Sequence, residues 1–149
     1  MADAEIPQRP VPVPDPISEP YWSAIDRGEL VIQRCTRCRV FQHPPAGICA
    51  ACLSSELAFE PVSGRGSIKT FTVTTGGARH PAFEARQPYA LAIVELKEQP
   101  RLFMMCNPTG IDPYRLAIGQ PVEVEFEEIA PGRLIPQFRV VASSSETSE

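Results

Sequence analysis

The chain has 149 residues, 43% of them hydrophobic, and a formal net charge of −4 with a pI near 5.3. That size allows one domain or two small modules with a real core. The acidity argues against the basic surface on which non-specific nucleic-acid binding relies.

Residues 1–16 carry Pro7, Pro10, Pro12, Pro14 and Pro16. Proline fixes φ and removes a donor, so this arm is expected to be extended or disordered. Its apolar Ile6, Val11 and Val13 suit an arm lying on a partner. The segment SEPYWSAIDRGEL predicts a short helix, with Ser18 as N-cap, Pro20 in the first turn and Gly28 as the stop. Tyr21, Trp22 and Ile25 share one face, which must pack on the chain itself or on a partner. ELVIQRC predicts a strand leading into a cysteine pair.

Four cysteines follow as Cys35-x-x-Cys38 and Cys49-x-x-Cys52. Two such turns facing each other make a tetrahedral four-sulfur cage, which suits Zn²⁺ or a single iron. A segment of about 40 residues also needs such a staple to fold. The cage is closed, whereas a catalytic zinc keeps an open position, so the site reads as structural. His43 lies inside the ribbon loop and is read as a loop or interface residue rather than a ligand. Arg39 and Leu53 stand where rubredoxin-type knuckles usually have glycine. No thioredoxin-like context supports a redox Cys-x-x-Cys.

Beyond the ribbon the pattern is strands and turns. SIKTFTVTT, YALAIVEL, RLFMMCN, VEVEFEEI and LIPQFRVVA are separated by SGRG, GGARHP, KEQP, NPTG and APGR. Five short strands without a long helix predict a small β-barrel. DPYRL adds one helical turn capped by Asp112. The expected division is an arm at 1–16, helix plus ribbon at 17–60, barrel at 61–142, and a polar, disordered tail at 143–149. The N-terminus has no apolar signal core, and no run approaches the ~18 apolar residues of a membrane span. The expected location is the cytoplasm.

The order of these motifs resembles the DUF35 family. The matching words are YWSAIDRGELVIQRCTRC, HPPAGICAAC, SGRGSIKTFTV, YALAIVEL, IGQPVEVEFEE and LIPQFRV, from about residue 17 to 141. The resemblance implies a mainly β fold: a short helix and a rubredoxin-like zinc ribbon on Cys35, Cys38, Cys49 and Cys52, then an OB-fold barrel. It also implies a non-catalytic subunit in an acyl-CoA-processing complex. The implied partner is a thiolase-superfamily protein: a thiolase, an acyltransferase or a steroid side-chain aldolase.

On that reading, Arg37, Arg39, Arg65, Arg79, His43 and His80 are candidates for acyl-CoA or partner contact. Arg34 is a further candidate for CoA phosphate. Tyr21 and Trp22 are candidate docking anchors. Phe41, displayed with Val40 on a ribbon loop too small to bury it, is a candidate contact of either kind. Cys106, in an apolar strand, is read as core packing rather than as a nucleophile. A zinc-ribbon/OB nucleic-acid-binding module is the alternative reading, and a single-iron electron carrier a third.

Overall fold

The computed structural model describes residues 8–142; the tail and the first seven residues of the arm, with Ile6 and Pro7, lie outside them. The element order is α1 (Glu19–Asp26), β1 (Val31–Cys35), β2 (Phe41–Gln42), β3 (Leu57–Pro61), β4 (Arg65–Thr74), α2 (Pro81–Glu84), β5 (Tyr89–Leu96), β6 (Phe103–Cys106), β7 (Pro121–Ala130) and β8 (Arg133–Val140). A single 3₁₀ turn at Pro113–Arg115 precedes β7, with the Asp112 carboxylate accepting from the Tyr114 N–H, as its sequence predicts.

Helix α1 starts directly after Ser18, its predicted N-cap residue. The Ser18 side chain makes no capping bond to the helix. Asp15 organises the turn before the helix, its carboxylate accepting from the N–H groups of Ile17 and Ser18 and from the Ser18 hydroxyl. Three hydrogen bonds to the charged form hold the Asp15 carboxyl below its usual range, the Ser18 hydroxyl contributing most. Gly28 ends the helix at φ +75° as expected. Tyr21, Ala24 and Ile25 form its buried stripe.

The ribbon is a three-stranded antiparallel sheet in the order β2-β1-β3. Strands β2 and β3 were not evident in the sequence; β2 is only two residues long. The barrel sheet runs β6-β5-β4-β7-β8, antiparallel throughout. The segment after β6 brings the two ends of the sheet together. Thr109 pairs in parallel with Arg139, exchanging backbone bonds with Phe138 and Val140. The result is a nearly closed five-stranded barrel. At its entrance Gly64 takes φ +73°, and a Cβ there would run into the Val124 side chain.

One core serves both parts. Ile25, Ile32 and Phe41 belong to the same buried cluster as Ile68, Val94, Leu96, Val122 and Phe138. Two polar devices fix the seam. Asp26 accepts from the Leu134 N–H and pairs with Arg133, tying α1 to β8. Gln99, in the β5–β6 turn, both accepts from the Phe41 N–H and donates to the Phe41 carbonyl, at 2.9 and 3.0 Å. A side-chain amide thereby acts as a further strand edge for β2. Gln99→Ala removes both bonds and leaves a half-buried backbone pair unmet, an expected loss of about 2 kcal/mol. An unchanged melting temperature would contradict this role.

The described part of the arm lies on its own barrel. Arg9 pairs with Glu127, and Arg133 donates to the Pro12 carbonyl. Val13 remains 89% exposed and Val11 42%.

Candidate functional site

Strand β1 delivers Cys35 into the first knuckle, and Cys38 follows one turn later. The second knuckle, Cys49 to Cys52, folds back over it. All four sulfurs lie within 4.8 Å of one another. Cys35 and Cys52 are 3.6 Å apart, and Cys38 and Cys49 are 3.5 Å apart. A tetrahedral metal with bonds of about 2.3 Å holds its sulfurs about 3.8 Å apart, so the four thiols fit such an ion with little adjustment.

Backbone groups prepare two of the four sulfurs, those of Cys35 and Cys49, as thiolates, the form that binds metal. The Cys38 N–H donates to Cys35 Sγ at 3.4 Å and leads the effects that hold that thiol down at about 6. N–H groups of Cys52 and then Ala51 lower Cys49 in the same way. The knuckles need left-handed backbone after each second cysteine, and the chain supplies it without glycine. Arg39 takes φ 67° and Leu53 φ 61°. Among the described residues no His, Asp or Glu joins this cluster.

The loop between the knuckles is built on two glutamines. Buried Gln33 accepts from the Ala46 N–H and donates to the Ala46 carbonyl. Gln42 donates to Gln33 and to the Ile48 carbonyl and accepts from the Ala50 N–H. This scaffold sets His43 beside Tyr21, ring centroids 5.4 Å apart. Burial pulls the His43 imidazole down to about 4, and its Nδ1 has no hydrogen-bond partner. His43 is thus a neutral packing residue away from the sulfurs.

Phe41 is not displayed. It is 9% exposed, with its backbone held by Gln99 and the Arg34 guanidinium 4.4 Å above its ring. The sequence expectation that the loop has no room for it fails because the barrel, not the ribbon, supplies the room. Tyr21 is likewise buried, while Trp22 is half-buried, edge-on to Tyr21 and under Arg133.

The arginines divide into two sets. Arg34 and Arg39 both bind Glu60, at 2.9 and 3.0 Å. The pair lowers the Glu60 carboxyl, Arg34 by hydrogen bond most of all. Arg37, Arg65 and Arg79 are exposed at separate points of the fold. His80 is exposed too, but it is not in a plain loop. Its Nδ1 accepts from the Ala82 N–H and caps α2, a turn of helix the sequence did not reveal. Cys106 is buried on the inner side of β6, and burial pushes its thiol up to about 12. It is protonated at neutral pH and suits packing, as expected.

One feature was not anticipated. Tyr21 and Trp22 of α1, His43 of the ribbon loop, and Met104 and Cys106 of β6 line a groove of about 500 Å³ between ribbon and barrel. Its walls come from segments far apart in the chain, so no sequence motif marks it.

Cage and barrel together define a zinc-ribbon and OB-fold protein. Residues 22–58 match the family model for the rubredoxin-like zinc ribbon domain of ChsH2, and residues 59–127 match that for its C-terminal OB-fold domain. The chain belongs to the DUF35 family. It is 33% identical to a DUF35 domain-containing scaffold protein of Methanocaldococcus jannaschii, over 72% of this chain and 75% of that one. It is 35% identical to a probable enoyl-CoA hydratase alpha subunit of Thermomonospora curvata, over 85% of this chain. The chain spans only 38% of that subunit's length. A solved structure, the Ltp2-ChsH2(DUF35) aldolase, superposes with a TM-score of 0.78 at 32% identity, covering 87% of this chain and 98% of that one. Among the described residues no helix is long and apolar enough to cross a membrane.

Proposed function

We propose that this chain is a non-catalytic scaffold subunit of an acyl-CoA-processing complex, assembled with a thiolase-superfamily protein and stapled by one structural zinc. The observation that carries this reading is the match, over 98% of its length, to a chain of the Ltp2-ChsH2(DUF35) aldolase. The relatives named as scaffold protein and as hydratase subunit point the same way.

The chemistry of the chain agrees. Zinc in a four-sulfur cage supplies folding energy and offers no position for a water or substrate. Cys106 is a buried neutral thiol. Exposed Arg37, Arg65, Arg79 and His80 are the positions from which a partner or a CoA phosphate is reached. Trp22 is the aromatic that offers surface for docking, with Tyr21 supporting it from below.

The test is turnover. The purified chain alone is expected to neither hydrolyse, cleave nor transfer from any CoA thioester. Added to a thiolase-superfamily partner, it is expected to raise that partner's activity. Robust turnover by this chain alone would sink the non-catalytic reading.

A further inference from the structure

The first knuckle holds a residue in a conformation that its side chain opposes. Arg39 stands at φ 67°, in the left-handed region where Cβ crowds the following carbonyl. The backbone bonds of the turn close around it: the Arg39 N–H donates to the Cys35 carbonyl, and the Cys35 N–H to the Val40 carbonyl.

A side-chain network surrounds this residue. Arg34 Nε donates to the Arg39 carbonyl at 2.7 Å. The N–H of the same peptide group, that of Val40, donates to the Cys38 sulfur. Arg34 therefore grips one side of a peptide whose other side meets a metal ligand. The Arg34 fork also reaches Glu60 at 2.9 Å, and the second oxygen of Glu60 receives the Arg39 guanidinium at 3.0 Å. One carboxylate of β3 thus ties the residue that grips the peptide to the residue that is strained. The ribbon register makes this possible: Arg34 pairs with Ala58, so Glu60 is its diagonal neighbour across the strands. Leu53 takes the same conformation in the second knuckle, at φ 61°, with its side chain 72% exposed.

We infer that Arg34, Glu60 and Arg39 form a clamp that keeps the first knuckle closed around its metal, in place of the conformational freedom of a glycine. The inference rests on the zinc cage of the proposed function. All three are positioning residues, since none supplies an atom to the metal. Groups that orient metal ligands commonly change affinity by about 10- to 100-fold. The Arg39 side chain is 52% exposed, which screens its leg of the clamp and puts the effect at the lower end.

The test is zinc release. Zinc-loaded full-length chains, each folded by circular dichroism, are mixed with excess pyridylazoresorcinol, whose colour follows the metal. Glu60→Gln and Arg34→Lys are expected to release zinc roughly ten-fold faster than the parent. Lysine keeps the charge of Arg34 but lacks the fork that reaches carbonyl and carboxylate together. In the Arg39→Gly background, Glu60→Gln should add no acceleration, because no strained residue is left to hold. Leu53→Gly relaxes the other knuckle and should leave the Glu60→Gln effect in place. The inference is overturned if Glu60→Gln or Arg34→Lys releases zinc at the parent's rate, or if Leu53→Gly abolishes the effect. It is also overturned if Glu60→Gln accelerates release equally with and without Arg39→Gly, the mark of a general loss of ribbon stability. A parent that loads no zinc would overturn cage and clamp together; a zinc-loaded parent matched by its variants would overturn the clamp alone.

Discussion

Cys35→Ser is expected to empty the cage and unfold the ribbon. A single lost thiolate opens a tetrahedral site whose other sulfurs are already poised at 3.5 to 3.6 Å from their neighbours. Structural zinc contributes on the order of 10 kcal/mol in small zinc domains, more than the whole stability of an ordinary domain. The damage should not stop at the ribbon, because Ile25, Ile32 and Phe41 share one core with Val94 and Phe138. Elemental analysis of the parent should find about one zinc per chain, and the variant well below half. A strong chelator should lower the parent's melting temperature and leave the variant's where it is. Freshly purified parent with less than about half a metal per chain would contradict the structural role.

Phe41→Ala carries the second large effect, expected in stability rather than in docking. The ring is buried under the Arg34 guanidinium and against the barrel. Truncating a buried phenylalanine costs about 3 kcal/mol through lost burial and the cavity left behind. In a chain of this size that lowers the melting temperature by roughly 10 °C. Complex formation measured well below that temperature should persist. A normal melting temperature with lost assembly would return Phe41 to the outer surface where the sequence put it.

That reversal shows where the sequence is informative. Local signals were sufficient for what is local: the two Cys-x-x-Cys turns, the alternation of β4 and β7, the apolar β5, and the Asp112 cap. Each depends on neighbours within a few residues. Phe41 depends on Gln99, 58 residues away, and no window over the ribbon contains it. The groove depends on α1, the ribbon loop, β6 and β8 meeting, which only the tertiary fold decides. The helix start at Ser18 was legible, but its capping chemistry was not: the Ser18 side chain makes no bond to the helix, and its hydroxyl instead joins the Asp15 carboxylate, which also accepts from the Ile17 and Ser18 N–H groups in the turn before it. Arg39 and Leu53 show the converse. Their left-handed backbone could be anticipated from the knuckle pattern even though neither is glycine.

A scaffold subunit must assemble with a second protein, and native mass spectrometry addresses that directly. The tagged chain would be co-expressed with the thiolase-superfamily protein encoded nearest to it, purified through the tag, and weighed intact. The expected result is a discrete hetero-oligomer containing both chains in fixed ratio, with one zinc for each copy of this chain. Recovery of this chain alone, with the partner folded and active in the unbound fraction, would contradict the scaffold assignment.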